Sequence, residues 1–436
     1  MKSIIFFLKS TAVLSLVLIL FSCGGDKNKS HSSSKNHIIP KTQTLKATPK
    51  ENTTSISASV IANLENYDAE TGTYTFSDDA DEVEDLEVGT VVLFEGHSLR
   101  KIKSVKKEGG KIMVESEFAR LTDYFKEADI SYSAPVTWDK AGVAAANVKV
   151  GQPIATIVPP LFTTLDGEEE GLHVKIEREI RGWKIEFELT PEAGDKLKIK
   201  LTATKERVCS ITAEGFISSF TSNSSIQIEG GETQQFSYNN DGLEGEVELK
   251  FAAVGLGSEI AILEIPATIE RTILVQGIIP VTLRLKANLK IYPEVAAGSS
   301  SQASMKLTYN SNLGFSYDGS RMNTTGGVSN DTAEQTGDSN TATAGIAGMG
   351  VGVEFPRFEI GILGNTVVPY LLLNTHASSY LSTGLLDNRP CHTATLKYAA
   401  HAGVNMNFLG VMTINNDYKI AEQEKRWKAE GSHCGD

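Results

Sequence analysis

The sequence is short of the features that usually announce an activity. Basic residues are in deficit, 41 Lys and Arg against 54 Asp and Glu, for a formal net charge of −13. Nucleic-acid binding draws its affinity from cations that neutralise phosphates, so DNA and RNA are not expected partners. Glycine at 38 and proline at 13 are not in excess, which excludes a collagen-like or proline-rich fibre. No apolar run reaches the roughly 20 residues that a membrane-spanning helix needs. G-x-S-x-G, H-E-x-x-H and S-x-x-K do not occur in their supporting contexts. The glycines Gly345, Gly348, Gly350 and Gly352 precede no helix with a phosphate-binding lysine, so they do not read as a phosphate cradle. No catalytic residue, cofactor or metal centre is expected. What remains is 436 residues that are 40% hydrophobic, enough for two or three packed domains.

The N-terminus carries the sharpest signal. Met1-Lys2 gives a short basic start, and residues 4–20 are apolar apart from Lys9, Ser10, Thr11 and Ser15. The most apolar part, residues 12–20, is too short to span a bilayer and predicts a cleaved export signal. The residues that follow, Leu20-Phe21-Ser22-Cys23, put an aliphatic residue three places before a cysteine and a small one just before it. This resembles a bacterial lipobox. The resemblance implies cleavage before Cys23, a diacylglycerol on its thiol and acylation, for example by palmitate, of the new amine. Two or three acyl chains make a stable anchor. The implied address is the bacterial cell envelope, with Gly24 favouring the outer membrane, at its periplasmic face or the cell surface. Removing residues 1–22 takes away Lys2 and Lys9 and leaves a chain of −15.

Residues 23–54 are rich in Ser, Lys, Asn and Thr and predict a flexible basic tether behind the lipidated cysteine. Beyond it the chain reads as strands. Lys184-Ile185-Glu186-Phe187-Glu188-Leu189 and Lys196-Leu197-Lys198-Ile199-Lys200-Leu201 alternate polar and apolar, the mark of sheets with one wet face. Strands are also predicted at 74–76, 91–94, 247–251, 260–265, 282–291 and 305–309. Gly109-Gly110 between 102–105 and 112–114 predicts a hairpin. Only 121–128 and 419–429 have helical composition. The expected class is all-β, with β-sandwich-like domains of antiparallel strands. The expected division is a first β domain over 55–160, a second over 161–322, a polar loop or linker over 323–352 and a C-terminal β segment over 353–436. Segments 86–92, 98–105, 115–121, 356–370 and 399–410 resemble strand modules of uncharacterised exported bacterial and archaeal proteins. That resemblance implies an exported β-rich body and no chemistry.

With Cys23 lipidated, three cysteines remain. Cys209 reads as a small buried hydrophobe. Cys391 and Cys434 are expected to form a disulfide pinning the C-terminal segment. A zinc shell from Cys391-His392 and His433-Cys434 is the alternative, but adjacent pairs lack the usual ligand spacing. Eleven carboxylates and no Lys or Arg fall within 65–95, followed by Arg100, Lys101, Lys103, Lys106, Lys107 and Lys111. The acidic run reads as a solvated loop rather than a calcium site, its spacing differing from an EF-hand, with the two charged stretches facing each other across paired strands. His97 and Ser98 are adjacent, yet neighbours on a strand point to opposite faces, so they are not expected to meet. His376 and His401 read as structural, and Trp138, Trp183 and Trp427 as packing residues rather than sugar platforms. Asp331-Thr332-Ala333 resembles the Asp-Thr-small motif of some Gram-negative bacteria, making Thr332 a candidate O-glycosylation acceptor.

The expected role is that of a lipid-anchored, non-enzymatic binding or structural module, partnered by the membrane through its lipid and by a glycan or protein ligand. Two other readings stand beside it. One is an envelope-anchored glycan-acting enzyme using carboxylates such as Glu186 or Glu188; the other is a carrier of a lipid-like ligand.

Overall fold

A computed structural model describes residues 37–68, 71–138, 147–150, 174–180, 182–193, 195–206, 208–254, 261–264, 267–294, 300–337, 340–342, 347–363, 370–383, 390–404 and 416–434. The export signal, Cys23 and the expected domain boundary at residue 160 lie outside them.

The described residues are nearly all strand. In chain order they give β1 (His37–Ile38), β2 (Thr42–Pro49), β3 (Thr53–Ile56), β4 (Leu64–Asp68), β5 (Thr73–Ser77), β6 (Val91–Phe94), β7 (Ser98–Glu108), β8 (Lys111–Phe118) and β9 (Phe125–Val136). Next come β10 (Asn147–Val150), β11 (Val174–Ile180), β12 (Trp183–Glu192), β13 (Lys196–Lys205), β14 (Cys209–Ser218), β15 (Phe220–Glu229), β16 (Glu232–Val254), β17 (Ala261–Glu264), β18 (Ala267–Val275) and β19 (Ile279–Glu294). The last are β20 (Ser300–Tyr317), β21 (Met322–Gln335), β22 (Asn340–Ala342), β23 (Ala347–Ile362), β24 (Tyr370–Thr383), β25 (Pro390–Val404) and β26 (Asn416–Lys428). The helices among the described residues, Ala58–Ile61, Asp81–Glu84 and Leu121–Tyr124, are single turns.

Three sheets result. The largest runs β11-β12-β13-β14-β16-β15-β9-β2, with β20 on the other side of β16 and β21 and β22 on β20. A second runs β1-β18-β19-β23-β24-β25-β26. These two pack face to face through one apolar core, into which each strand sends alternate side chains, as where Ile199, Leu201 and Ala213 of one sheet meet Ala287, Val353 and Phe355 of the other. Phe220 of one sheet meets Phe358 of the other with ring centroids 5.0 Å apart, and Ser301 donates to the Ser379 carbonyl across the gap at 3.3 Å. Two voids between the sheets, among the described residues, hold about 10 Å³ each. The fold is therefore all-β and sandwich-like.

The 23-residue β16 spans the large sheet. Its first half pairs with β15 and its second with β14, while β20 follows it on the opposite edge. The ladder with β20 shifts register between Asn240 and Leu243, where Gly242 takes φ 73°, a backbone shape a side chain resists. Opposite this bend the chain passes from β14 to β15 at Ser219. Trp138, fully buried, donates its indole N–H to the Ser218 carbonyl at 3.0 Å, and Ser218 Oγ accepts the Glu244 N–H at 2.8 Å. Trp138 thus fastens the corner of the sheet and is a packing residue.

The third sheet, β3-β6-β7-β8-β5-β4, curls around its own core of Ile56, Tyr74, Phe76, Val92, Phe94, Ile102, Ile112 and Val114. The Gly109-Gly110 hairpin forms there, both residues at positive φ, as a type I′ turn requires. The other face of this small curled sheet adds Val91, Leu93 and Leu99 to the sandwich core. Two hydrogen bonds tie its β6–β7 turn to the second sheet: Gly96 N–H to Ile278 O at 2.7 Å and Leu99 N–H to Leu363 O at 3.2 Å.

Several expectations need correcting. Residues 37–49 are not tether, because β1 pairs parallel with β18 and β2 pairs with β9. The first β domain does not stand apart up to residue 160, since Phe125–Val136 already lies inside the large sheet. The polar stretch 323–352 is not a loop: β21 pairs with β20 from Met322 to Gln335, and β22 and β23 follow. Its Ser, Thr and Asn sit on the wet side, while Met322 is buried and Val328 and Ala333 pack on the core. Residues 419–428 are strand, because pairing with β25 overrides their helical composition.

Cys391 and Cys434 stand at disulfide distance, with Cα atoms 4.7 Å apart across a sequence separation of 43. Closing a loop of that length stabilises by about 2–4 kcal/mol through the unfolded chain. Cys434→Ser is expected to lower the melting temperature, and reduction of the wild type to lower it equally, measured by calorimetry. A second expectation concerns Tyr309, whose ring covers Gly245 in the core and whose hydroxyl is buried with no partner among the described residues. Since an unpaired buried hydroxyl carries a desolvation cost of about 1–3 kcal/mol, Tyr309→Phe is expected to leave the melting temperature unchanged or raise it.

Candidate functional site

A cluster of buried and half-buried polar side chains lies at one end of the small curled sheet. Strand alternation turns Ser98, Arg100 and Ile102 of β7 inward together, and Tyr74 of β5 and Tyr67 of β4 come round to meet them as the sheet curls. Tyr74 OH and Ser98 Oγ are 2.6 Å apart, and both residues are fully buried. Arg100 donates from Nε to Tyr74 OH at 3.3 Å and from Nη2 to Tyr67 OH. Its guanidinium carbon also lies 5.6 Å from the centre of the Tyr67 ring. The two tyrosine rings lie 4.5 Å apart, tilted by 32°, and the His97 imidazole stands edge-on to Tyr67 at 4.7 Å.

His97 and Ser98 do meet, with His97 Nδ1 3.0 Å from Ser98 Oγ. The expectation that they point apart fails because His97 belongs to the β6–β7 turn and not to the strand, so strand alternation does not govern it. The pair is nonetheless unlike a nucleophile and its base. Ser98 is fully buried and its hydroxyl is shared with Tyr74, so a substrate carbonyl has no approach to it. Burial, reinforced by Arg100, pushes the His97 imidazole down to about 4, and burial, with Tyr67 beside it, pushes the Tyr74 phenol up. At neutral pH the cluster holds one charge, that of Arg100.

The other singled-out residues are dispersed. Glu186 and Glu188 lie two apart on the outer face of β12, ion-paired with Lys184 at 2.6 Å and Lys175 at 3.5 Å. The Lys184 hydrogen bond holds Glu186 below the ordinary carboxylate range. The acidic and basic stretches face one another as expected: Lys107 pairs with Asp78 and Glu84, each at 2.7 Å, and Lys111 with Glu65 at 2.7 Å. His392 Nε2 lies 3.0 Å from Ser379 Oγ, away from a shared ligand shell with the cysteines, and no group of three or more metal-binding side chains occurs among the described residues. His376 is half-buried over Gly350, and burial lowers its imidazole pKa; His401 is half-buried on β25. Trp183 is core, and Trp427 is half-buried with the Lys425 ammonium 5.5 Å from its ring. Thr332 is exposed on β21 opposite Thr308. Cys209 is buried, which pushes its thiol up to about 12 and makes it inert. An opening of about 390 Å³ lies at the sandwich end beside it, lined by Glu206, Val208, Ser210, Val254 and Gln302 among others.

No family model, no curated protein and no solved structure matches this chain.

The His97 environment fixes a pH dependence. The unfolded imidazole takes up its proton near the ordinary value of 6.5 and the folded one at about 4. Between these values the unfolded chain binds more protons, so stability falls as pH drops from 6.5 towards 4, by up to about 3 kcal/mol. Urea unfolding at pH 7 and pH 4.5, compared between wild type and His97→Asn, is expected to show a smaller loss in the variant.

Proposed function

We propose that this chain is a lipid-anchored protein of a bacterial envelope whose all-β body works as a non-enzymatic binding or structural module. The observation that carries the reading is the order of segments: an export-type apolar run, then Leu20-Phe21-Ser22-Cys23, then a body whose first described strand begins at His37. Residues 24–36 separate that cysteine from the strand, and fully extended they reach at most about 45 Å. The body is thereby kept close to the membrane surface. Its signal and tether fit outer-membrane delivery, and Thr332, exposed on β21, fits an O-glycan acceptor.

A binding or structural role is also supported over carriage: two inter-sheet voids hold about 10 Å³ each, and the opening of about 390 Å³ beside Cys209 is an open site lined partly by Glu206, Ser210 and Gln302, whereas a lipid-like ligand calls for a mostly apolar cavity of several hundred Å³. Glu186 and Glu188, both ion-paired on an open sheet face, do not form the facing pair that glycoside hydrolysis uses.

Metabolic labelling with radioactive palmitate is expected to mark the wild-type protein and to leave Cys23→Ser unlabelled. Equal labelling of both would sink the anchor.

A further inference from the structure

Arg100 is a partly enclosed cation that no described carboxylate answers. Several half-buried cations elsewhere are matched by carboxylates, Arg284 by Glu270 at 2.8 Å, Arg357 by Glu359 at 3.1 Å, Lys286 by Glu359 at 2.8 Å and Lys290 by Glu354, while Lys196 and Lys205 lie over the Phe216 and Trp183 rings. The partners of Arg100 are the phenols of Tyr74 and Tyr67, and burial keeps the first of these neutral. Taking a charge partly out of water without an opposite charge is costly, so the arrangement is incomplete as it stands. A guanidinium has five N–H donors; one on Nε and one on Nη2 are engaged, which leaves the Nη1 pair and the second Nη2 hydrogen. Those donors form the planar fork that grips an oxyanion with two parallel hydrogen bonds.

We propose that the Arg100 end of the small curled sheet, with Tyr67 and His97 beside it, binds the carboxylate of an acidic sugar. All three residues are half-buried, so each keeps some contact with solvent. One guanidinium among neutral groups matches one negative charge, which favours a carboxylate over a doubly charged phosphate. Tyr67 and His97 add ring edges and hydrogen-bonding atoms suited to the hydroxyls of a sugar ring. The β6–β7 turn that carries His97 is fastened to the second sheet through Gly96 and Leu99, so the site is held in shape before a ligand arrives. This assignment rests on the binding part of the proposed function and is independent of the lipid anchor, which the palmitate experiment tests separately.

The test is calorimetric titration of the purified full chain with D-glucuronate, glucose and inorganic phosphate. Saturable binding of glucuronate with Kd about 1 mM is expected, with no binding of glucose and phosphate at least tenfold weaker. Arg100→Lys keeps the charge and loses the fork, and is expected to weaken glucuronate at least about tenfold. Tyr67→Phe is expected to weaken it several-fold, with a melting temperature close to that of wild type. Absence of saturable glucuronate binding to the wild type overturns the proposal whether or not the variants fold. So does phosphate binding more tightly than glucuronate, or undiminished glucuronate affinity in a folded Arg100→Lys.

Discussion

The fold depends on the hydrogen-bonding of one strand. Glu232–Val254 carries two successive neighbours on one edge and a single long one on the other, so strands as far apart in sequence as β9 and β21 reach the same sheet through it. A straight 23-residue strand would carry the strands at its two ends apart in twist. The bulge at Asp241-Gly242 and the break at Ser219 let both ladders turn together, and the Trp138 indole holds that corner from inside the core. Remove the bend, and the apolar rows of the two halves no longer face the same partner sheet.

The core that results needs little sequence specialisation. Val, Ile, Leu and Phe recur every second residue, and the wet faces are held by cross-strand Lys–Glu pairs such as Lys198–Glu214 at 3.2 Å and Lys306–Glu334 at 2.8 Å. Such exposed pairs add little stability each. They fix which face looks outward, and a one-residue slip would bury them. β26, an edge strand, is charged along its length, with Lys419, Glu422, Glu424, Lys425, Arg426 and Lys428, which discourages pairing with a second chain.

How far the fold was legible follows from this. Period-two alternation marked β12 and β13 to within a few residues, and Gly109-Gly110 marked its hairpin, because both signals are local. The strand over 322–335 was hidden, since Thr, Asn, Ser and Gly on a wet outer strand have a loop's composition and only pairing with β20 reveals it. The strand over 416–428 was hidden by good helix formers. The candidate site was half legible: Arg100 and His97 stood out as charged or titratable residues, but the curl that brings Tyr67 and Tyr74 from β4 and β5 onto β7 is tertiary. His97 meets Ser98 only because the strand begins one residue later than alternation assumed.

Residues 37–49 touch both sheets of the sandwich, through β1 on β18 and β2 on β9, and the Gln276 N–H donates to Gln43 Oε1 at 2.7 Å where the two sheets come together. This segment is also the first that any tension on the N-terminal end would meet. Load applied there falls first on the two-residue ladder of β1 and then on the eight-residue ladder of β2. The segment that closes the sandwich is therefore also its mechanical fuse, and stretching would open the edge of the body before it disturbed β16.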